Sequence, residues 1–160
     1  MAHRVKEAGV WYVPTITGYK QNAEPSWGRG EFWHERYEIL YETHFESVQK
    51  AINAGVFIAT GTDTLGTVAE EVGILRKAGL TPQQAIDTAT INGAVVCEMD
   101  EQIGSLEVGK LADILVIDGD PLDDTQALQN VKSVYIGGKL YEKGFMDGLV
   151  PLSDMWAEGW

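Results

Sequence analysis

The stretch that decides the fold reads Gly55-Val56-Phe57-Ile58-Ala59-Thr60-Gly61-Thr62-Asp63-Thr64. It begins with an apolar, β-forming run that is too short for a helix, and it ends in small and hydroxyl residues around one carboxylate, Asp63. A strand covered on both faces must be apolar throughout, so the first position open to a charge is its carboxyl end, where α/β proteins bind ligands. The stretch therefore predicts a buried parallel strand with a functional group at its end. Spacing alone equally allows Asp63 to be a cap of the next helix.

Helical and extended patterns alternate before this strand. Residues 2–9 are typical of the end of a helix stopped by Gly9, and Val10 to Ile16 predicts a strand. The order of strand, helix and strand predicts that this strand pairs in parallel with the one before Asp63. Residues 17–30 are rich in Gly, Pro, Asn and Ser and predict a long loop. Residues 33–52 carry apolar side chains at helical spacing and predict the strongest helix of the chain.

Two capping boxes follow the strand. Each capping box predicts a helix start: the first pairs Thr67 with Glu70, and the second pairs Thr81 with Gln84, with Pro82 at the first helical position. The first helix is expected to stop at Gly79. The second is expected to run as one helix that buries a stripe of four residues, Ala85, Ile86, Ala89 and Val96. Beyond residue 100 the period changes to short extended runs at 104–107, 112–118 and 131–136, separated by glycine turns, which predicts a small β subdomain.

Composition narrows the class of protein. The chain has 160 residues, of which 44% are hydrophobic and 22% charged, as in globular domains. Its 12 basic residues face 24 acidic ones, for a net charge of −12, so we expect neither nucleic acid nor an anionic membrane as a partner. The sequence contains no long apolar run or signal-peptide pattern, which favours the cytoplasm. The one cysteine, Cys97, rules out an internal disulfide and is expected to be buried as a small hydrophobic residue.

The chain resembles the C-terminal part of the amidohydrolase superfamily, nearest the imidazolonepropionase-related and Xaa-Pro dipeptidase-like branch. The match covers roughly residues 5 to 141 and is specific as a set, although each motif alone is weak. The residues that carry it are Gly55 to Asp63, Ala78-Gly79-Leu80-Thr81-Pro82-Gln83-Gln84-Ala85, Ala89-Thr90-Ile91-Asn92-Gly93-Ala94, residues 103–114, Asp118-Gly119-Asp120-Pro121-Leu122 and Gly137-Gly138-Lys139.

The resemblance implies an α/β fold, namely the last two β/α units of a metal-dependent hydrolase (β/α)8 (TIM) barrel with the C-terminal part of a small β-sandwich. A whole barrel needs about 250 residues, so most strands would lie outside this chain. The implied divisions are residues 1–99 for the barrel part, 100–142 for the composite β-sandwich subdomain and 143–160 for an acidic, aromatic tail.

The resemblance also implies site residues. Asp63 matches the aspartate that binds a divalent metal ion, expected to be zinc, and takes the proton from the hydrolytic water. The other family ligands have no match in this chain. Thr62 and Thr64 flank Asp63 and are expected to orient its carboxylate. Tyr19 resembles positions that line the substrate pocket, although an aromatic residue on a loop is as often mere cover.

The histidines do not replace the missing ligands. His34 and His44 are separated by about 280° around one helix, so they cannot face the same ion. His44 lies on the apolar face and predicts a packed, hydrogen-bonded core residue. Glu70 and Glu71 follow the strand end closely enough to reach an active site, but the capping box accounts for Glu70, and a structural role is favoured over a catalytic one.

The resemblance implies a hydrolase of carbon–nitrogen bonds in amides, cyclic amides or Xaa-Pro dipeptides, present as a C-terminal fragment. The alternative is a catalytically silent truncated fragment that only folds or oligomerises. The expected partners are a small-molecule amide or dipeptide substrate and, because part of a barrel leaves open sheet edges, a second copy in a homo-oligomer.

Overall fold

The computed structural model describes residues 1–24, 30–63 and 66–141. The predictions for Thr64 and for the tail at 143–160 lie outside these residues. In chain order the elements are α1 (Ala2–Glu7), β1 (Trp11–Tyr12), α2 (Ile16–Asn22), α3 (Glu31–Asn53), β2 (Phe57–Ile58), α4 (Val68–Ala78), α5 (Pro82–Thr88), α6 (Ile91–Val96), β3 (Ile114–Ile117), a 3-10 helix (Thr125–Gln129), β4 (Val131–Ile136) and β5 (Lys139–Tyr141).

The first sheet is the predicted parallel pair. Trp11 of β1 lies opposite Phe57 of β2, and Tyr12 lies opposite Ile58. The backbone N–H of Ala59 donates to the Tyr12 carbonyl at 3.1 Å, so the pairing continues just past β2. The long helix α3 connects the two strands, because parallel neighbours need a crossover rather than a tight turn.

One face of this pair is covered by α2, α3 and α4. The fully buried side chains at the centre are Ile16, Val48 and Leu75, with Ile58 of β2 beneath them. Each such side chain stabilises the fold by roughly 1.5–3 kcal/mol relative to its exposed state. On the other face Phe57 remains 51% exposed and packs beside Trp11, with their ring centroids 5.2 Å apart.

The prediction for residues 10–30 was wrong in two respects. The strand is limited to Trp11–Tyr12, because Ile16 already begins a helix. The predicted loop therefore contains helix α2, which places Tyr19 on a helix. The local sequence is a poor helix former, and this helix depends on a partner far along the chain, Glu71.

The single helix expected over residues 81–96 was also wrong, since the chain breaks into α5 and α6 at Ala89 and Thr90. The Thr88 carbonyl, which a continuous helix would use for its own hydrogen-bond ladder, instead accepts from the Thr60 N–H at 2.9 Å, and the Asn92 side chain donates to the Ile58 carbonyl. Cys97 is exposed rather than buried, because it follows the last residue of the short α6.

The second sheet is antiparallel, in the order β3, β4, β5. It confirms the extended runs at 112–118 and 131–136 and the hairpin turn at Gly137-Gly138, whereas residues 104–107 form no strand. Large apolar side chains remain exposed on this sheet, among them Leu115, Val131, Ile136 and Leu140. In the described part of the chain, no helix has both the length and the apolar character needed to cross a membrane.

Candidate functional site

Asp63 lies in a turn beyond the carboxyl end of β2, where the sequence predicted it. Its side chain is exposed, and its backbone has a φ of +55°, a conformation that aspartate tolerates better than most residues. Thr62, which precedes it, is partly buried. The structure thus exposes a carboxylate to solvent just beyond the carboxyl end of the parallel strand pair.

The strand end that leads to Asp63 is held by α5 and α6. The Asn92 side-chain amide donates to the Ile58 carbonyl at 2.9 Å, and the Thr60 N–H donates to the Thr88 carbonyl at 2.9 Å. The Thr60 and Thr88 hydroxyl oxygens are 2.6 Å apart. These bonds satisfy backbone groups at the end of β2, and Asn92 gives the motif at residues 89–94 a structural role there.

The ends of the two strands approach each other closely. A Cβ atom at Gly61 would lie 2.5 Å from Cγ1 of Val13 and 3.3 Å from Cγ2 of Thr15. Only glycine allows this approach without displacing the segment after β1. The chain that enters the Asp63 turn is therefore packed directly on the chain that leaves β1.

Glu71 is a buried ionisable residue whose importance the sequence pattern did not indicate. Its side chain is completely buried, and its two oxygens accept from the N–H groups of Ile16 and Thr17 at 2.9 and 2.8 Å. Burial raises the pKa of this carboxyl, and the hydrogen bonds from Ile16 and Thr17 oppose the rise. The available signal was an acidic residue on the apolar face of α4, next to the buried Val72. Glu70, by contrast, completes the predicted capping box with Thr67.

His44 is a hydrogen-bonded, half-buried residue of the helix cluster, as predicted. Its Nε2 lies 3.1 Å from the Tyr12 hydroxyl, and its ring centroid lies 4.5 Å from that of Tyr19. Burial lowers the pKa of His44, and a hydrogen bond to the Pro14 carbonyl partly offsets this. Tyr19 is therefore engaged with a packed aromatic cluster.

The described residues do not fit a metal ion by themselves. Within residues 1–24, 30–63 and 66–141, no group of three His, Cys, Asp or Glu side chains converges on one point. His34 instead lies 3.5 Å from Glu38, one turn further along α3. A zinc ion needs three or four protein ligands, so Asp63 would require ligands from outside this set.

A separate groove of about 550 Å³ lies between α2, α4 and the 3-10 helix. The charged residues that line it are Lys20, Glu70, Arg76, Lys77 and Asp124. Asp63 and Tyr19 are not among its described lining residues. This groove is therefore distinct from the strand end that carries the candidate carboxylate.

The fold and the site define an α/β protein that presents a polar group at the carboxyl end of a parallel strand pair. Residues 3–141 match the family model described as "Amidohydrolase family", and the chain belongs to that family. Members of the family are generally metal-dependent.

Similar proteins agree with the family and with the predicted branch. Ochratoxinase from Aspergillus niger is 35% identical over 148 residues, which covers 86% of this chain and 30% of that protein. Imidazolonepropionase from Fusobacterium nucleatum is 34% identical over 110 residues, or 62% of this chain and 27% of that protein. A crystal structure of a Xaa-Pro dipeptidase with bound methionine aligns with a TM-score of 0.77 and 33% identity, over 87% of this chain and 36% of that chain. The chain thus spans about a third of the length of these relatives.

Proposed function

We propose that this chain supplies the C-terminal part of a hydrolase that cleaves carbon–nitrogen bonds. The observation that carries the proposal is family membership together with Asp63 at the carboxyl end of β2. The relatives support the bond class, since ochratoxinase, imidazolonepropionase and Xaa-Pro dipeptidase act on carbon–nitrogen bonds. The substrate would be a small amide, a cyclic amide or an Xaa-Pro dipeptide.

In this proposal β1, β2 and their helices are the last two units of a (β/α)8 barrel, within residues 1–99. Residues 100–142 are the C-terminal share of a β-sandwich, and 143–160 are a tail. The parallel pair joined by α3 and the one-third coverage of the relatives support this division. The barrel interior would then receive the exposed face of Trp11 and Phe57.

Asp63 is the proposed proton-transfer group. Its exposed carboxylate takes a proton from the attacking water and returns it to the leaving nitrogen, which is general acid–base catalysis. Thr62 and Thr64 are proposed to orient the carboxylate, and Tyr19 to contact substrate. A divalent ion, with zinc as the expected metal, would take its remaining ligands from residues other than those described here.

A catalytically silent protein is the second candidate, and it is favoured by one observation: the described residues contain no metal-binding cluster around Asp63. Such a chain would fold and associate, in the cytoplasm, without turnover. The two candidates differ in what the chain does once the rest of a family barrel is present.

The test joins this chain to the rest of a family barrel. Residues 1–141 replace the matching C-terminal segment of the Aspergillus niger ochratoxinase, and hydrolysis of ochratoxin is measured with zinc present. We expect measurable turnover by the chimera and none by the 160-residue chain alone. Asp63→Asn is expected to lower kcat/KM by about 10² to 10⁴-fold, the usual size of an acid–base contribution.

Asp118→Asn is the matched control, because Asp118 is an exposed aspartate that pairs with Lys132 on the second sheet. It should leave kcat/KM unchanged. A folded, zinc-loaded chimera without turnover would contradict the proposed function and support the silent alternative. Equal rates for the Asp63 and Asp118 variants would show that Asp63 has no catalytic role.

A further inference from the structure

Glu71 joins two segments that lie far apart in sequence. It belongs to α4, and its completely buried carboxylate holds the N–H groups of both Ile16 and Thr17, the first two residues of α2. The Thr17 side chain adds a further hydrogen bond to the same carboxylate. A buried carboxyl group is costly unless it is bonded in this way, so the arrangement needs an explanation.

Helix α2 has little capping of its own. Its N-cap residue, Thr15, has a φ of +47°, and its side chain makes no capping bond within the described part of the chain. The N–H groups of Ile16 and Thr17 are therefore satisfied from α4, whereas that of Gly18 donates to the Thr15 carbonyl at 3.3 Å. Helix α2 carries Tyr19, and α4 follows the turn that carries Asp63, so Glu71 connects the segments after β1 and after β2.

Two further contacts tie the same segments together. A Cβ atom at Gly66, which lies between Asp63 and α4, would be 2.6 Å from Cβ of Thr17. The side-chain amide of Gln21 donates to Oε2 of Glu70 at 3.3 Å. Because Gly66 is packed this closely on Thr17, a displacement of Thr17 on loss of the Glu71 bridge would be transmitted to the chain between Asp63 and α4.

We propose that Glu71 is a positioning residue that fixes the turn bearing Asp63 against the helix bearing Tyr19. It acts through the backbone of Ile16 and Thr17 and contacts no reacting atom. This inference rests on the proposed function, because the two segments matter together only if both face one substrate. Its structural half, the coupling of the segments, is measurable without any activity.

The first experiment is amide hydrogen exchange and ¹H–¹⁵N NMR on the 160-residue chain. Glu71→Gln offers one acceptor oxygen and one N–H group to two N–H donors, so exchange at Ile16 and Thr17 is expected to accelerate about tenfold, the effect of losing one hydrogen bond. The amide resonances of Thr62, Asp63 and Gly66 are expected to shift as well. Glu46→Gln is the control, because Glu46 is an exposed glutamate of α3 whose described partner, Lys50, lies one turn away on the same helix, so the change should leave all these amides unchanged.

The pattern of the shifts decides the outcome. Changes confined to α2 would show that Glu71 only caps that helix, which would overturn the proposal. Glu71→Asp keeps the charge on a shorter side chain and is expected to recover part of the protection. If Glu71→Gln does not fold, the aspartate variant carries the same comparison, with changes in both segments as support and changes in α2 alone as refutation.

The second experiment uses the ochratoxinase chimera. Glu71→Gln is expected to lower kcat/KM about 10- to 100-fold, because small misplacements of reacting groups are costly, and Glu71→Asp is expected to restore part of it. Unchanged kinetics with altered NMR spectra would overturn the positioning role. A wild-type chimera without turnover would instead contradict the proposed function, and the NMR comparison would still stand.

Discussion

The hydroxyl pair of Thr60 and Thr88 allows a quantitative test of how the strand end before Asp63 is held. Thr88 is 1% exposed, and its hydroxyl donates to the Ala85 carbonyl at 2.6 Å. A hydroxyl has one proton, so the 2.6 Å contact between Thr60 and Thr88 must use the Thr60 hydroxyl as the donor. Thr88 is therefore both a donor and an acceptor, whereas Thr60 is a donor in this pair.

The two isosteric substitutions should then have unequal costs. Thr88→Val removes two hydrogen bonds and is expected to lower the free energy of unfolding by about 2 kcal/mol, at roughly 1 kcal/mol for each bond. Thr60→Val removes one bond and should cost about 1 kcal/mol. The double variant loses the same two bonds as Thr88→Val, so it should cost about 2 kcal/mol and give a coupling energy of about 1 kcal/mol.

Urea unfolding followed by tryptophan fluorescence measures these differences, and thermal unfolding should show a shift of about 2–4 °C for each kcal/mol. Thr43→Val is the control, because Thr43 is an exposed threonine of α3 that bonds only within its own helix among the described residues. Equal costs for Thr60→Val and Thr88→Val, or additive effects in the double variant, would refute the assigned donor and acceptor roles.

Two further predictions concern pH and association. Burial raises the pKa of the Glu71 carboxyl in the folded state, and the groups that face it, Tyr12 and Tyr41, are uncharged. The unfolded chain, with a pKa near 4.5, therefore loses the carboxyl proton at pH values where the folded chain still holds it. The wild-type chain should therefore lose stability relative to Glu71→Gln as the pH rises from 4.5 through the folded-state pKa. If the unfolding free energy of wild type minus that of Glu71→Gln increased over this range, the prediction would be contradicted. We predict that the chain associates through the exposed apolar face at Phe57 and the apolar residues of the second sheet. The net charge of −12 opposes association only weakly, because salt screens exposed charges beyond about 8 Å. Sedimentation in 0.15 M salt should show dimers or larger species, and a strictly monomeric chain at high micromolar concentration would contradict the predicted association.

Local patterns were sufficient for much of the fold. The period of residues 33–52 predicted α3, the two capping boxes predicted the starts of α4 and α5, and the apolar run before Asp63 predicted a strand parallel to the one near Trp11. These features depend on residues within one or two turns of each other, or on the order of strand, helix and strand. Side-chain periodicity and capping therefore carry enough information to specify them.

Helix α2 and the break between α5 and α6 were decided by tertiary structure. Glu71 satisfies the first turn of α2 from 55 residues along the chain, and Thr88 and Asn92 each bond to a strand end about 30 residues earlier. An acidic residue on the apolar face of α4 marks Glu71 as unusual, but no local pattern identifies the distant groups that Glu71, Thr88 and Asn92 bond, because those groups come together only when the chain has folded. A buried polar backbone must find a hydrogen-bonding partner wherever the packed elements place one, and that placement exists only in three dimensions.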